Sequence, residues 1–142
     1  MKVVDIMTRD PVCISDAASI HDAHLLMQNR NVRHLPVISE TNGKLVGVLP
    51  HKKMIAKVMS LYNKYGPNAL DRKERYANIA ELIETDYPAL SPETPLLEVV
   101  DYFLSNKYGS LPVADSEGKV VGIVTSSDFV SLCKTLLSKG AQ

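Results

Sequence analysis

The 142-residue chain contains no tryptophan, only two phenylalanines and two cysteines, and no excess charge of either sign. Sixteen basic residues balance sixteen acidic ones, so the electrostatic footprint of a general nucleic-acid binder is missing. No apolar run approaches the roughly 18 residues that cross a bilayer, so no transmembrane helix is expected. The opening MKVVDIMTRD includes Asp5 and Arg9 and no long apolar core, and does not read as a signal peptide. Cys13 and Cys133 show no C-x-x-C spacing and cannot form a disulfide framework. Both are expected as reduced, small, buried apolar side chains in a cytoplasm. No Walker, G-x-G-x-x-G, G-x-S-x-G or H-E-x-x-H motif occurs, and Ser126 and Ser127 have no evident base. Catalysis is therefore not expected. What remains is ordinary: 45% hydrophobic and 23% charged residues, the balance of a soluble globular protein.

An internal repeat organises the chain. LPVISETNGKLVGVLPHKKMI, from Leu35, resembles LPVADSEGKVVGIVTSSDFV, from Leu111. Leu35-Pro36-Val37 map onto Leu111-Pro112-Val113, and Gly43, Lys44, Val46 and Gly47 onto Gly118, Lys119, Val121 and Gly122. One residue is lost in the intervening turn. Upstream, Asp5-Ile6-Met7 map onto Glu81-Leu82-Ile83 and Ile14-Ser15 onto Leu90-Ser91. The repeats span 2–60 and 78–138, with a partly helical connector over 61–77 that holds Gly66-Pro67-Asn68 and the charged run 71–75.

Each repeat reads β-α-β-β-α, an α+β pattern. A short extended segment, Pro11 to Ser15 or Pro88 to Ser91, precedes a helix. In the second repeat Thr94 is expected to cap that helix, with Pro95 at its first position. Leu96, Val99, Val100, Phe103 and Leu104 make one apolar face, and Ile20, Ala23 and Met27 do so in the first repeat. Two strands around Asn42-Gly43 or Glu117-Gly118 form a hairpin signal. A last helix is expected to bury Ile55, Val58, Met59 and Tyr62 in one repeat, and Phe129, Leu132, Cys133 and Leu136 in the other. About 60 residues bury a core poorly alone. Two copies can pair by a pseudo-two-fold, which would leave a shared cleft suited to a small molecule.

Thr125-Ser126-Ser127-Asp128 follows an apolar strand and opens the last helix, as a capping box would. The matching stretch of the first repeat is Pro50-His51-Lys52-Lys53. His21 and His24, three apart, have no further metal ligands at a recognisable spacing, so no metal site is expected.

The D-I-M start, the two L-P-V strands, the G-K-x-V-G turns and Gly122-Ile123-Val124-Thr125-Ser126-Ser127-Asp128, in this order and duplicated, resemble the CBS-domain family in its tandem form, the CBS pair or Bateman module. The resemblance covers nearly the whole chain and extends to stand-alone pairs of the acetoin-utilisation type. It implies regulatory binding of AMP, ADP, ATP or another adenosyl compound in clefts between repeats, with no catalytic cofactor. It also implies a homodimer and an effector protein as partner; the balanced charge and the lack of a long apolar run make nucleic acid and membrane unexpected as partners.

By that resemblance Thr125 and Asp128 contact ribose hydroxyls, a role compatible with capping because a carboxylate accepts from two vicinal hydroxyls. Ala89, Leu90, Gly109, Ser110, Leu111 and Pro112 would line the adenine pocket, Gly109 and Ser110 letting backbone approach the base. Arg33 and His34, before the first L-P-V strand, would meet phosphates, or are surface charge. In the first repeat Pro50 stands at the Thr125 position and Lys53 at the Asp128 position, a departure from the pattern: Lys53 has donors only and cannot accept from a ribose hydroxyl, so this cleft is empty or its lysines, Lys52 and Lys53, take another role. They meet phosphates or are solvated, and one adenosyl site per chain is expected. The alternative reading is a ligand-free dimerisation or interaction module in which Thr125 and Asp128 act only as a cap.

Overall fold

The computed structural model describes residues 1–105 and 107–140. In chain order the elements are β1 (Thr8–Arg9), β2 (Ile14–Ser15), α1 (Ile20–Arg30), β3 (His34–Ile38), β4 (Leu45–Pro50), α2 (His51–Tyr65), α3 (Leu70–Tyr76), α4 (Leu96–Leu104), β5 (Ser110–Ala114), β6 (Val120–Thr125) and α5 (Ser126–Gly140). Short 3-10 turns lie at Val3–Asp5 and Ala80–Leu82. The segment before α4 forms a single parallel bridge, Leu90 to Val113, where β2 forms a short strand.

The chain divides into two compact units along a line that differs from the sequence repeats. One joins Met1–Pro11 to the chain from Tyr87 (unit 1); the other is Val12–Asp86 (unit 2). The start of each sequence repeat therefore packs in the unit built on the other repeat's strands. In unit 1, β1 pairs antiparallel with β6, Thr8 opposite Ile123. In unit 2, Glu84, which corresponds to Thr8, exchanges both backbone hydrogen bonds with Val48 at 2.8 and 3.0 Å. Two glycines permit these crossings. A Cβ on Gly122 would lie 2.5 Å from Met7 Sδ, and one on Gly47 would meet the Ile83 side chain and stand 2.6 Å from the Glu84 carbonyl oxygen.

Unit 2 holds the sheet β2-β3-β4, with β2 parallel and β4 antiparallel to β3. Leu35, Val37 and Leu49 bury their side chains with Ile20, Ala23 and Met27 of α1 and Met54 and Val58 of α2. Ser19 caps α1 reciprocally with Asp22: each backbone N–H donates to the other's side chain at 3.1 Å. Unit 1 holds β1-β6-β5, with Leu111, Val113 and Val124 buried against Leu96 and Val99 of α4. Both hairpins shift register at the same place, Val37/Ile38 and Val113/Ala114. Gly43 and Gly118, at φ 71° and 82°, supply the left-handed residue of each turn.

Four local expectations are corrected. Pro95 itself is the cap residue of α4, and the Thr94 hydroxyl accepts from the Ser91 N–H at 3.0 Å. On α2 the buried face is Met54, Val58 and Leu61, while Met59 and Tyr62 are exposed. The helix carries two adjacent apolar stripes, and packing selects one of them. On α5 no residue is buried: Phe129 and Leu132 are partly covered, whereas Cys133 and Leu136 face outward. The cysteine expectation fails with it, because Cys133 is exposed and Cys13 only half-buried.

Candidate functional site

The junction between β6 and α5 in unit 1 brings three of the expected residues together. Thr125 ends β6 directly opposite Ser110, the first residue of β5. The Thr125 N–H donates to Asp128 Oδ2 at 2.8 Å, so a carboxylate one turn into α5 holds the strand end. This is one half of a capping box. The Thr125 hydroxyl bonds Ser127 Oγ at 2.7 Å in place of the other half. Asp128 keeps its second carboxylate oxygen without a protein partner among the described residues.

Ser110 is 6% exposed, and its Oγ has no hydrogen-bond partner among the described residues. An unsatisfied buried hydroxyl costs about 1–3 kcal/mol. Sequence reasoning assigned Ser110 only a steric role. Its orphaned hydroxyl was hidden because nothing local distinguishes a buried serine from an exposed one. Leu90, Leu111 and Pro112 are buried, the two leucines as part of the unit 1 core. Ala89 and Gly109 are exposed.

The corresponding junction of unit 2 is chemically different. His34 opens β3 opposite Pro50, the last residue of β4. Pro50 is also the cap residue of α2 and makes no side-chain cap bond. The His51 N–H instead donates to the Arg33 carbonyl at 2.7 Å, tying the pre-strand loop to the helix start. Burial pushes the His34 imidazole below its usual pKa, and Arg33 and His51 add to this while Glu84 opposes it. Lys53 Nζ lies 3.3 Å from Glu84 Oε1, with both side chains about half exposed. Arg33 and Lys52 are exposed. The two histidines noted for their spacing face α3: His24 Nδ1 meets Glu74 Oε1 at 2.8 Å and His21 lies 3.7 Å from Asp71. Glu74, within the charged run of the connector, is buried.

The CBS domain family matches residues 3–60 and 79–134. This chain belongs to the CBS-domain family, and carries two of its repeats. Among solved structures, an acetoin utilization protein, AcuB, of Vibrio cholerae shares 30% identity at TM-score 0.81, covering all of this chain and 98% of that one. CBSX2, a CBS-pair protein of Arabidopsis thaliana, solved in complex with AMP, shares 27% identity at TM-score 0.75 over 95% and 97% of the two chains. The CBS domain pair of MJ0100, in complex with 5′-methylthioadenosine and S-adenosylmethionine, gives the same identity, score and coverage. Among curated relatives, the A-adding tRNA nucleotidyltransferase of Aquifex aeolicus is 32% identical over 141 residues, 98% of this chain. The chain spans only 15% of that protein and 24% of a matching homoserine O-acetyltransferase of Methanohalobium evestigatum. Among the described residues, no helix is long and apolar enough to cross a membrane.

Proposed function

We propose that the chain is a regulatory sensor that binds an adenosyl ligand through the β6–α5 junction of unit 1 and passes its occupancy to a partner protein without transforming it. The observation that carries this reading is the cluster of Ser110, Thr125 and Asp128. A buried hydroxyl without a partner stands across the strand pair from a threonine whose neighbouring carboxylate has an oxygen to spare. Such a cluster offers acceptors for two ribose hydroxyls and a hydroxyl that can donate or accept. The adenosyl ligands of the CBSX2 and MJ0100 structures support the same class of molecule. Ala89, Leu90, Gly109, Leu111 and Pro112 are kept as the base-proximal set, and Arg33, His34, Lys52 and Lys53 as phosphate contacts to be tested by substitution.

The mechanism is a population shift: a ligand bound more tightly by one arrangement of the protein favours that arrangement. Exposed apolar side chains on α5 (Val130, Leu136, Leu137) and on α2 (Met59, Tyr62) support a homodimer. The cytoplasm remains the setting of this reading, and the enzymatic activities of the much longer relatives are not carried over. A thermal-shift screen of AMP, ADP, ATP, S-adenosylmethionine and NAD tests the proposal. A ligand at a hundred times its Kd raises apparent stability by about 2.7 kcal/mol when it binds only the folded state. No shift with any of the five would leave the interaction-module reading in its place.

A further inference from the structure

The stretch 51–76, which forms α2, α3 and the loop between them, carries seven lysines and arginines against two carboxylates, in a chain whose total charge is balanced. Both carboxylates lie on α3 and both are engaged within the fold. Glu74 is buried with Oε1 2.8 Å from His24 Nδ1, and Asp71 lies 3.7 Å from His21 and 2.9 Å from Arg75 Nε. Lys53 and Lys57 are held by Glu84 and Glu81. Lys52, Lys64, Arg72 and Lys73 have no ion-pair partner among the described residues.

Two of those four meet at the end of α2. Lys73 Nζ sits 4.1 Å from the centre of the Tyr65 ring and Lys64 Nζ 5.3 Å from the same centre, so one aromatic ring holds two ammonium groups. Arg72 and Tyr76 share the α3 face of Lys73, because residues three and four apart are neighbours on a helix, and the buried Glu74 falls on the opposite face. Tyr65 and Arg72 are exposed, and Tyr76 is 84% exposed. The ring offsets part of the repulsion between the two ammoniums; an anion seated across both removes it. Tyrosine and arginine are also the side chains enriched where proteins meet.

We infer that this face of α2 and α3 docks an acidic segment of a partner protein. Lys64, Lys73 and Arg72 take its carboxylates, and the Tyr76 ring packs against its apolar atoms. The inference rests on the sensor reading of this chain and names the chemistry of that sensor's partner. Charge complementarity selects the occupant. A neutral apolar segment would desolvate the ammoniums without pairing them, which is costly. The chain-wide basic excess of a nucleic-acid binder is missing. The surface lies wholly within unit 2 and shares no residue with the β6–α5 junction.

Fluorescence anisotropy of the full chain with labelled oligoglutamate, oligolysine and oligothymidylate tests this. Saturable binding is expected for oligoglutamate, falling steeply with added salt, and none for oligolysine. Backbone amide shifts on binding should centre on residues 64–76. The double variant Arg72→Glu, Lys73→Glu should weaken oligoglutamate binding by more than about tenfold, as two attractions become repulsions. Tyr65→Leu should weaken it about two- to fivefold, the scale of an exposed cation–π contact. Lys134→Glu with Lys139→Glu, the same change of charge on α5, should leave it within about twofold, because screened charges outside the contact act weakly. Adenosyl-ligand binding by the Arg72→Glu, Lys73→Glu variant should match wild type. A chain that binds oligoglutamate and no adenosyl compound fails the sensor reading alone; one that binds an adenosyl compound and no oligoglutamate overturns this inference alone. Tighter binding of oligothymidylate than of oligoglutamate would overturn it in favour of single-stranded nucleic acid. Equal losses in the two folded charge-reversal variants would overturn it as well, by reducing the binding to net charge.

Discussion

At the end of β6 a threonine faces a serine; at the matching end of β4 a proline faces a histidine. The two junctions share strand lengths, a register shift one step before each hairpin and a following 15-residue helix. They differ in what that scaffold holds. Unit 1 presents hydroxyls and the Asp128 carboxylate, groups that accept as well as donate. Unit 2 presents an imidazole, a ring without an N–H and two lysines, one of them occupied by Glu84. The backbone of the repeat is thus maintained by apolar and glycine positions, while the polar residues at the strand ends are free to diverge.

The largest expected effect tests the shared scaffold. Gly47→Ala places its Cβ against the Glu84 carbonyl, which cannot move without breaking the Val48 hydrogen bonds. Gly122→Ala meets first the flexible Met7 side chain. Overpacking of this kind costs about 1–3 kcal/mol, so Gly47→Ala should sit near the top of that range and Gly122→Ala near the bottom. Denaturant unfolding checks the order, and equal losses would show that the two crossings are equally compliant.

Next in size is Asp128→Ala. It should weaken adenosyl-ligand binding by about 1.5–3 kcal/mol, the loss of a hydrogen bond to a charged acceptor. The lost Thr125 cap should also cost the free protein about 0.5–2 kcal/mol. The mirror change, Lys53→Asp with Pro50→Thr, should bring nucleoside binding to unit 2, and calorimetry on the double variant sharpens the contrast. Failure of that transfer would assign the difference to His34.

A smaller effect follows from His34. Because burial holds its pKa below the usual 6.5, the unfolded chain takes up a proton as pH falls through 6.5 while the folded chain does not. The stability contribution is complete above pH 6.5 and is lost on acidification toward the folded value. His34→Asn should flatten this dependence, whereas Ser110→Ala in unit 1 should leave it unchanged. The smallest effect belongs to Lys53→Ala: a half-exposed ion pair with Glu84 is worth about 0–1 kcal/mol.

The repeat, its hairpins and the Thr125–Asp128 cap could all be read from sequence because they rest on local spacing. The units' exchange of opening segments could not, since Met7 and Ile83 look alike as short apolar stretches and only packing decides which sheet each joins. The buried faces of α2 and α5 escaped for a related reason. Both helices have more apolar positions than their own unit covers, and periodicity alone does not choose among Met54, Ile55, Val58 and Met59. Ser110 and Glu74 carry no local signal of burial. Their importance comes from what stands opposite them: Thr125 in one case and His24 in the other.

Calorimetric stoichiometry puts the contrast between the junctions to its most direct test. Adenosine or the tightest ligand from the thermal-shift screen should bind once per wild-type chain, and Asp128→Ala should weaken that binding by about 1.5–3 kcal/mol while the chain stays folded. Two equivalent sites per chain, or unchanged affinity in a folded Asp128→Ala variant, would contradict the assignment of the ligand to Thr125 and Asp128.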